Sequence, residues 1–287
     1  MNINSAHSTT LPAKQNVLGV GISRTSYQEV VQICNFWIEQ KRSWLAYGCT
    51  DPVPYRGRYI CVTSVHGIMT ASKDAHFREI LNDADIATPD GMPVVWALRS
   101  FGAKNQARVY GPTLMLQLCK QAAQQNHRIY LYGGRPDTLA QLQTNLSEKF
   151  PDLVIAGSYS PPFRPLTANE ETACIQRIKD SAAEIVFVGI STPKQEKWIA
   201  RVSDQLPGVI FIGVGAAFDF HAGRVKQAPA WMQRSGLEWL FRLASEPRRL
   251  WRRYLLTTPL FLPLWGLQRI GLISFSDPIG KRPGLES

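Results

Sequence analysis

The sequence predicts an α/β protein with a mainly parallel, Rossmann-like sheet, flanking helices and a C-terminal helical basic appendage. Short apolar runs alternate with amphipathic segments of about ten to fifteen residues, which is typical of βαβ units. Many of these runs end in Gly, Pro, Asp or Thr, the residues that form turns at strand ends. Positive charge is concentrated near the C-terminus, and this concentration predicts the appendage.

The elements are predicted in order from hydrophobic periodicity and from helix and strand breakers. Residues 1–15 lack the apolar stretch of a signal peptide, so we expect a disordered arm. Seven segments are predicted as strands: NVLGVGI, RYICVTSV, DIATPDG, RIYLYGG, LVIAGSYS, EIVFVGIS and VIFIGVGA. Seven segments are predicted as helices: YQEVVQICNFWIEQK, IMTASKDAHFREILNDA, GMPVVWALRSFG, GPTLMLQLCKQAAQQ, PDTLAQLQTNLSEKF, NEETACIQRIKDS and PKQEKWIARVSDQL. Residues 16–223 are therefore assigned to the α/β body.

Residues 224–287 form the predicted appendage. They carry eleven Lys and Arg against four Asp and Glu, interleaved with aromatic residues, a mixture that suits an anionic membrane surface. The uncharged run LLTTPLFLPLWGL has 13 residues and contains two prolines, whereas a spanning helix needs about 20. We expect this run to lie on a membrane or to pack on protein, and not to cross the bilayer.

The composition bounds the function classes. Five cysteines, an odd number without a CxxC pair, indicate neither a disulfide framework nor a zinc site, so a reducing cytosol is the simplest compartment. A sequence pI of about 9.5 would suit a nucleic-acid-binding protein, but the tail mixes its aromatics with aliphatic residues and prolines, which favours a membrane. We therefore expect no nucleic-acid partner. The oligomeric state, monomer or homo-oligomer, stays open.

Five strand ends carry side chains or backbone suited to a ligand site. They are Thr63, Asp90, the pair Gly133 and Gly134, the corner TPKQE and Asp219. In a parallel sheet these positions fall on one edge, where ligands of α/β proteins bind. Asp90 follows Pro89 and could be a turn residue, a helix N-cap or a general base.

The TPKQE corner is predicted as a strand-to-helix turn. Pro193 can occupy the first helical position, and Ser191 or Thr192 can cap the helix. The free N–H groups of such a helix start can receive an anion. Lys194 is then placed to offset phosphate charge.

Motifs of other chemistries are unsuitably placed, incomplete or absent. Asp83-Ala84-Asp85 matches the metal-binding Asp-x-Asp of some sugar transferases, but it follows a helix and is predicted as a solvated turn; no metal is expected. Two GxG strings lack the full GxGxxG, which speaks against the alternative of a Rossmann oxidoreductase with a dinucleotide cofactor. No GxSxG elbow is present. Of the histidines, only His66, just past a strand end, is a candidate for the site.

Several motifs, in this order, resemble those of the WecG/TagA/CpsF glycosyltransferases (glycosyltransferase family 26). They are TPDGMPVVW, RVYGPTLM, GGRP, GISTPKQEKWI, GVGAAFDFHAG and APAWMQRSGLEWLFRLASEPRRLWRRY. The resemblance implies an inverting transferase without metal or cofactor on the inner face of the bacterial cell membrane. Its donor would be a UDP-sugar and its acceptor a lipid-diphosphate sugar such as undecaprenyl-diphosphate-GlcNAc, in cell-surface polysaccharide synthesis.

The resemblance also implies residue roles. Asp90 would be the general base and Thr63 would lie at the sugar end of its pocket. Gln195 and Asp219 would lie near the nucleotide, where Glu196 can also hydrogen-bond the donor. Members with T-x-N after the second strand have Asn where this chain has Val65.

Three arginines of the appendage are also predicted to belong to the site. Arg242, Arg249 and Arg252 are spaced seven and three residues apart, which places them on about one face if the helix continues through Pro247. The resemblance implies that arginines of this appendage close over the active site. The planar guanidinium can hold phosphate oxygens in a bidentate way.

Overall fold

The computed structural model describes residues 10–47 and 56–276. Its strands are β1 (Lys14–Val17), β2 (Val20–Ser23), β3 (Arg58–Thr63), β4 (Ile86–Pro89), β5 (Arg128–Gly133), β6 (Val154–Tyr159), β7 (Ile185–Gly189) and β8 (Ile210–Gly213). The helices of the body are α1 (Tyr27–Ala46), α2 (Val65–Ala71), α3 (Ala75–Asp83), α4 (Met92–Ser100), α5 (Gly111–Gln125), α6 (Pro136–Lys149), α7 (Ala168–Asp180), α8 (Lys194–Val202) and α9 (Ala217–His221). A 3₁₀ turn, Ser203–Gln205, follows α8.

The predicted fold class is confirmed. Strands β3 to β8 form one six-stranded sheet in the order β4-β3-β8-β7-β5-β6, and every pairing in it is parallel. Ile60 in β3 lies opposite Ile86 on one side and Ile212 on the other, and all three are fully buried. Strands buried on both faces explain the continuous apolar runs in the sequence.

Alternation along the strands divides the core between the two faces of the sheet. Val186 and Val188 of β7 belong to one hydrophobic cluster, whereas Ile185 and Phe187 belong to the other. The four cysteines in the described part of the chain are free and buried, so they act as small apolar residues.

The first apolar run is an antiparallel hairpin, β1 and β2, and not a strand of the main sheet. Leu18 and Gly19 both have positive φ, as in the two-residue turns that join the strands of tight hairpins. β1 begins at Lys14, so Lys14 and Gln15 of the predicted arm belong to a strand.

Two predicted boundaries were wrong, and a capping side chain accounts for the second. RYICVTSV ends as a strand at Thr63, and Val65 is already the first residue of α2. The single helix predicted over IMTASKDAHFREILNDA is two helices, α2 and α3. Asp74 separates them, because its carboxylate accepts a hydrogen bond from the backbone N–H of Phe77 at 2.9 Å and caps α3.

The appendage consists of short helices packed on the body: α10 (Ala230–Arg234), α11 (Glu238–Ser245), α12 (Pro247–Trp251), a π-helical turn (Arg252–Thr257) and α13 (Phe261–Arg269). The helix does not continue through Pro247, which starts α12. α13 packs against the body: Phe261 is fully buried, and Trp265 Nε1 donates to Ser100 Oγ at 3.1 Å. Among the described residues, no helix is long and apolar enough to cross a membrane.

Candidate active site

A cleft of about 1100 Å³ opens at the carboxyl ends of the sheet strands. Its walls combine loops that follow the strands with side chains of the appendage. Most of the predicted site residues line it: His66, Asp90, Gly134, Lys194, Gln195, Asp219, Arg242 and Arg252. A smaller pocket of about 100 Å³ adjoins it and shares His66, Asp90 and Arg242.

Asp90 follows β4, and its backbone N–H donates to Thr63 O at 2.9 Å. Gly91, with φ of 91°, is the N-cap of α4, so Asp90 does not cap this helix. The carboxylate is therefore available for chemistry. Its Oδ1 accepts from Nε and Nη2 of Arg108, at 3.0 and 2.9 Å, and its side chain is 19% exposed.

Arg108 was missed by the sequence analysis. It is the first residue of RVYGPTLM and lies in the segment between α4 and α5, so a search of strand ends could not find it. Its Nη1 donates to Glu238 Oε2 at 2.6 Å, and its guanidinium lies 4.0 Å from the centre of the Tyr110 ring. Burial lowers the pKa of Arg108, but the charges of Asp90 and Glu238 outweigh it and raise the pKa above its ordinary value. Arg108 is therefore a fixed cation beside Asp90.

The TPKQE corner differs in detail from the prediction. The Thr192–Pro193 bond is cis, and Pro193 is the N-cap of α8, so it does not occupy the first helical position. Neither Ser191 nor Thr192 caps the helix through its side chain. Lys194, the first residue of α8, is exposed and lines the cleft.

Gln195 and Glu196 have different positions. Glu196 is buried and does not line the cleft; its Oε1 accepts from Thr192 Oγ1 at 2.8 Å and from Gln195 Nε2 at 2.9 Å. Gln195 Oε1 accepts from the N–H of Gly215 at 3.1 Å. Glu196 thus orients Gln195 from beneath the wall of the cleft, because it accepts a hydrogen bond from the Gln195 amide.

Two other predicted residues lie beneath the surface of the cleft. Thr63 is buried, and its Oγ1 donates to Cys61 O at 3.2 Å. A Cβ at Gly133 would lie 2.6 Å from the backbone of Gly189, so this glycine permits close packing of β5 and β7. Thr63 and Gly133 place Asp90 and Gly134 without lining the cleft themselves.

The arginines of the appendage come from separate helices. Arg242 of α11 lies over Phe220, with 5.6 Å between guanidinium and ring centre, and its buried Nε has no hydrogen-bond partner among the described residues. Arg252 begins the π-helical turn. The side chain of Arg249, in α12, lies outside the described part of the structure. A buried guanidinium N–H without a partner, in a cleft, is suited to an anionic ligand.

Comparison with known proteins identifies the family of the chain. The model of the "Glycosyl transferase WecG/TagA/CpsF family" matches residues 15–273. The chain belongs to this family of glycosyltransferases. It is 32% identical over 199 residues to the N-acetylglucosaminyldiphosphoundecaprenol N-acetyl-beta-D-mannosaminyltransferase of Bacillus subtilis (strain 168), covering 69% of this chain and 75% of that protein. The oxidoreductase alternative is not favoured by these findings.

In this glycosyltransferase the Asp-x-Asp string is far from the cleft. Asp85 precedes β4 and therefore lies at the amino end of the strand whose carboxyl end carries Asp90. It is buried, not solvated as predicted, and accepts from Arg58 Nη1 at 3.0 Å, Arg56 Nη2 at 3.1 Å and the N–H of Tyr59 at 2.9 Å. Asp85 thus accepts hydrogen bonds from two arginines at the amino ends of the strands, opposite the cleft.

Further cations of the glycosyltransferase line the cleft and were also missed. Lys73 follows α2, and Lys197 of α8 pairs with Asp74 at 2.6 Å. Arg201 of the same helix pairs with Glu171. Helical spacing from Lys194 could have found Lys197 and Arg201, since residues three or four apart share a helix face.

Proposed function

We propose that this glycosyltransferase moves a sugar from a UDP-sugar to undecaprenyl-diphosphate-GlcNAc, with UDP-N-acetylmannosamine as the first candidate donor. The observation that carries the proposal is the placement of the Asp90 carboxylate and the Arg242 guanidinium on one cleft. A carboxylate can activate an acceptor hydroxyl, and a cation can stabilise the leaving diphosphate. The name of the Bacillus subtilis relative supports this choice of acceptor and sugar.

In the proposed step, Asp90 takes the proton of the acceptor hydroxyl as that oxygen attacks C1 of the donor sugar. The bond from C1 to the phosphate oxygen breaks, and UDP leaves with the electron pair. A single displacement of this kind inverts the configuration at C1. Because alcohols are very weak acids, the proton transfer has to accompany bond formation.

The leaving UDP needs positive charge, and we assign this role to Arg242, Arg252 and Lys194. Arg242 offers a buried Nε–H that has no partner among the described residues, and Lys194 is exposed at the start of α8. Gln195 is held by Gly215 and Glu196, and Asp219 lines the same cleft. We assign both residues to the binding of the nucleoside. We propose that these groups replace a metal in stabilising the diphosphate.

Residues 224–287 are proposed to attach the enzyme to the inner face of the cell membrane. Nine of the fourteen exposed large hydrophobic residues in the described chain belong to this appendage, among them Trp231, Leu240 and Leu255. Its basic residues would be attracted to anionic lipid. The lipid-linked acceptor would then reach the cleft from the side where Arg252 lies.

The proposal is tested with a panel of UDP-sugars and a short-chain undecaprenyl-diphosphate-GlcNAc analogue, with product masses and anomeric configuration as readouts. We expect transfer of a single N-acetylhexosamine with inversion. Turnover that is lost in EDTA and restored by Mn²⁺ or Mg²⁺ would contradict the metal-free mechanism. No transfer from any UDP-sugar would refute the proposed donor class.

Asp90→Asn tests the base. The change keeps the size of the side chain, so we expect turnover to fall by about 10²- to 10⁴-fold while UDP binding, measured by calorimetry, changes little. Turnover like that of the unmodified enzyme would exclude Asp90 as the base.

A further inference from the structure

A three-membered ionic bridge joins Asp90 to the appendage through Arg108. Nε and Nη2 of Arg108 point to Asp90 at 3.0 and 2.9 Å, and Nη1 points to Glu238 at 2.6 Å. The side chains of Asp90, Arg108 and Glu238 are only 19%, 14% and 11% exposed. Solvent therefore screens this bridge less than it screens an ordinary surface pair.

The orientation of the guanidinium is fixed on three sides. One face lies against the ring of Tyr110, whose backbone N–H in turn donates to Tyr27 Oη at 2.8 Å. The two carboxylates take donors on different edges of the planar group, so its rotation about the Tyr110 ring would break one of the two pairs. Glu238 is thus one of the groups that hold Arg108 in its contact with Asp90.

The bridge connects two distant parts of the chain. Asp90 and Arg108 belong to the body, whereas Glu238 is the first residue of α11 and lies 130 residues beyond Arg108. The same helix carries Arg242, one turn later, which lines the cleft. Docking of α11 therefore delivers a carboxylate to Arg108 and a cation to the cleft at the same time.

We propose that Glu238 is a positioning residue for the transfer reaction: it orients Arg108, and through Arg108 the carboxylate of Asp90. This inference rests on the proposed role of Asp90 as general base. With Glu238 in place, the positive charge of Arg108 is shared between two carboxylates. Arg108 then orients Asp90 while neutralising only part of its charge. Without the charge of Glu238, Arg108 is held at one edge only, so its hydrogen bonds to Asp90 are less well ordered and the base is less well placed.

A purely structural role for Glu238 makes a different prediction. If Glu238 only anchors α11, its loss releases Arg242 from the cleft, and the binding of UDP weakens with turnover. If it positions Asp90, turnover falls while UDP is bound as before. The two roles are separated by comparing kcat with UDP affinity.

The test is Glu238→Gln in the full-length enzyme, which keeps the shape of the side chain and removes its charge. We expect kcat to fall about 10- to 100-fold, with the donor KM and the UDP Kd within about twofold of the unmodified values. Retained kcat, or a loss of turnover matched by an equal loss of UDP affinity, overturns the proposal.

Glu184→Gln is the matched control. Glu184 accepts from Arg42 Nε at 2.7 Å, and its side chain is 9% exposed, so it resembles Glu238 in burial and in ion-pair geometry. It precedes β7 and therefore lies at the opposite end of the sheet from the cleft. We expect kcat of this variant to stay within about twofold of the unmodified enzyme, because only the bridge at Asp90 acts on the chemistry.

A measurement independent of turnover separates this inference from the proposed function. In protein labelled with ¹⁵N-arginine, the Nε–H signal of Arg108, assigned by its loss in Arg108→Lys, reports the hydrogen bond to Asp90. We expect Glu238→Gln to speed its exchange with water, and Glu184→Gln to leave it unchanged. If the unmodified enzyme transfers no sugar, the proposed function fails, but this signal still supports or refutes the positioning of Arg108 by Glu238.

Discussion

Asp90 shows how one residue becomes available for chemistry through its neighbours. Gly91 adopts the positive φ of 91° that a side chain would resist, and as the N-cap of α4 it leaves Asp90 outside the helix. Thr63 then fixes the backbone of Asp90 from the adjacent strand. The backbone of Asp90 is bonded to β3, and Gly91 begins α4. The carboxylate is therefore left to face the cleft.

The residue scale also distinguishes Asp90 from Asp85. Asp85 is fully enclosed among Arg58, Arg56 and the N–H of Tyr59. Removing the charge of one partner of such a buried pair costs about 3 kcal/mol or more. We expect Asp85→Asn to lower the free energy of unfolding in urea by about 3–5 kcal/mol, and to leave kcat of the folded enzyme unchanged at low temperature.

Asp83→Asn is the control for that prediction, since Asp83 ends α3 in the same turn. Because Asp83 is only half-buried and Asp85 is fully buried, this substitution should lower the free energy of unfolding less than Asp85→Asn does. A specific loss of kcat in both variants, recovered with added divalent cation, would show that the string binds a metal.

At the scale of the element, Pro247 separates the arginines onto different helices. α11 ends at Ser245, and α12 begins at Pro247, which removes the single helical face that spacing predicts. Arg242 and Arg252 both reach the cleft through the packing of α11 and of the π-helical turn. Their convergence is a property of tertiary structure.

We predict that Arg252→Ala lowers kcat by about 10- to 100-fold on a soluble short-chain acceptor, because a charged hydrogen bond to phosphate contributes about 1.5–3 kcal/mol. Arg248→Ala is the matched control, since Arg248 is exposed in α12 and does not line the cleft. The soluble acceptor removes membrane affinity from the measurement. Equal turnover of the two variants would make Arg252 a lipid anchor.

The attachment of α13 to the body can be tested with adjacent residues. Phe261 is fully buried and Leu262 is 48% exposed, although both begin the same helix. We expect Phe261→Ala to lower the free energy of unfolding by about 3–5 kcal/mol and Leu262→Ala by less than about 1 kcal/mol, measured in urea. Similar small losses would mean that α13 is not part of the folded body.

At the scale of the whole molecule, the packing of α13 determines the expected effect of removing the appendage. Gln268 Oε1 accepts from the N–H of Leu18, and Asn16 Nδ2 donates to the carbonyl oxygens of Phe275 and Ser276. These contacts tie the tail to the hairpin. Truncation after Gly223 would therefore expose apolar surface of the body, so point substitutions are the better tests of the tail.

We predict that the exposed apolar side chains of the appendage mediate membrane binding. Leu255 and Leu260 are 54% and 48% exposed. Serine at both positions should weaken retention on vesicles of anionic phospholipid by about 30-fold, since each leucine contributes about 1 kcal/mol of apolar burial. Turnover on the soluble acceptor should not change.

Leu45→Ser is the control, because Leu45 is 56% exposed on α1 of the body. It should leave vesicle retention unchanged. Sedimentation of the unmodified enzyme and of the double variant tests a competing interpretation. If the double variant changes the oligomeric state and not the retention on vesicles, the apolar surface is an interface between copies of the chain.

The sequence by itself determined the fold class and the edge of the sheet that carries the cleft. Alternating strands and helices impose a parallel sheet, in which the carboxyl ends of all strands lie on one side. Asp90, Gly134 and Lys194 could therefore be placed together from local patterns. Only the tertiary structure decided how Arg108 and Glu238 join Asp90. Arg108 lies in a loop and Glu238 in a short helix 130 residues later, and their pairing depends on the docking of the appendage. Charge pairing between distant segments leaves no periodicity in the sequence, because it is fixed by packing in three dimensions and not by the spacing of residues along one element.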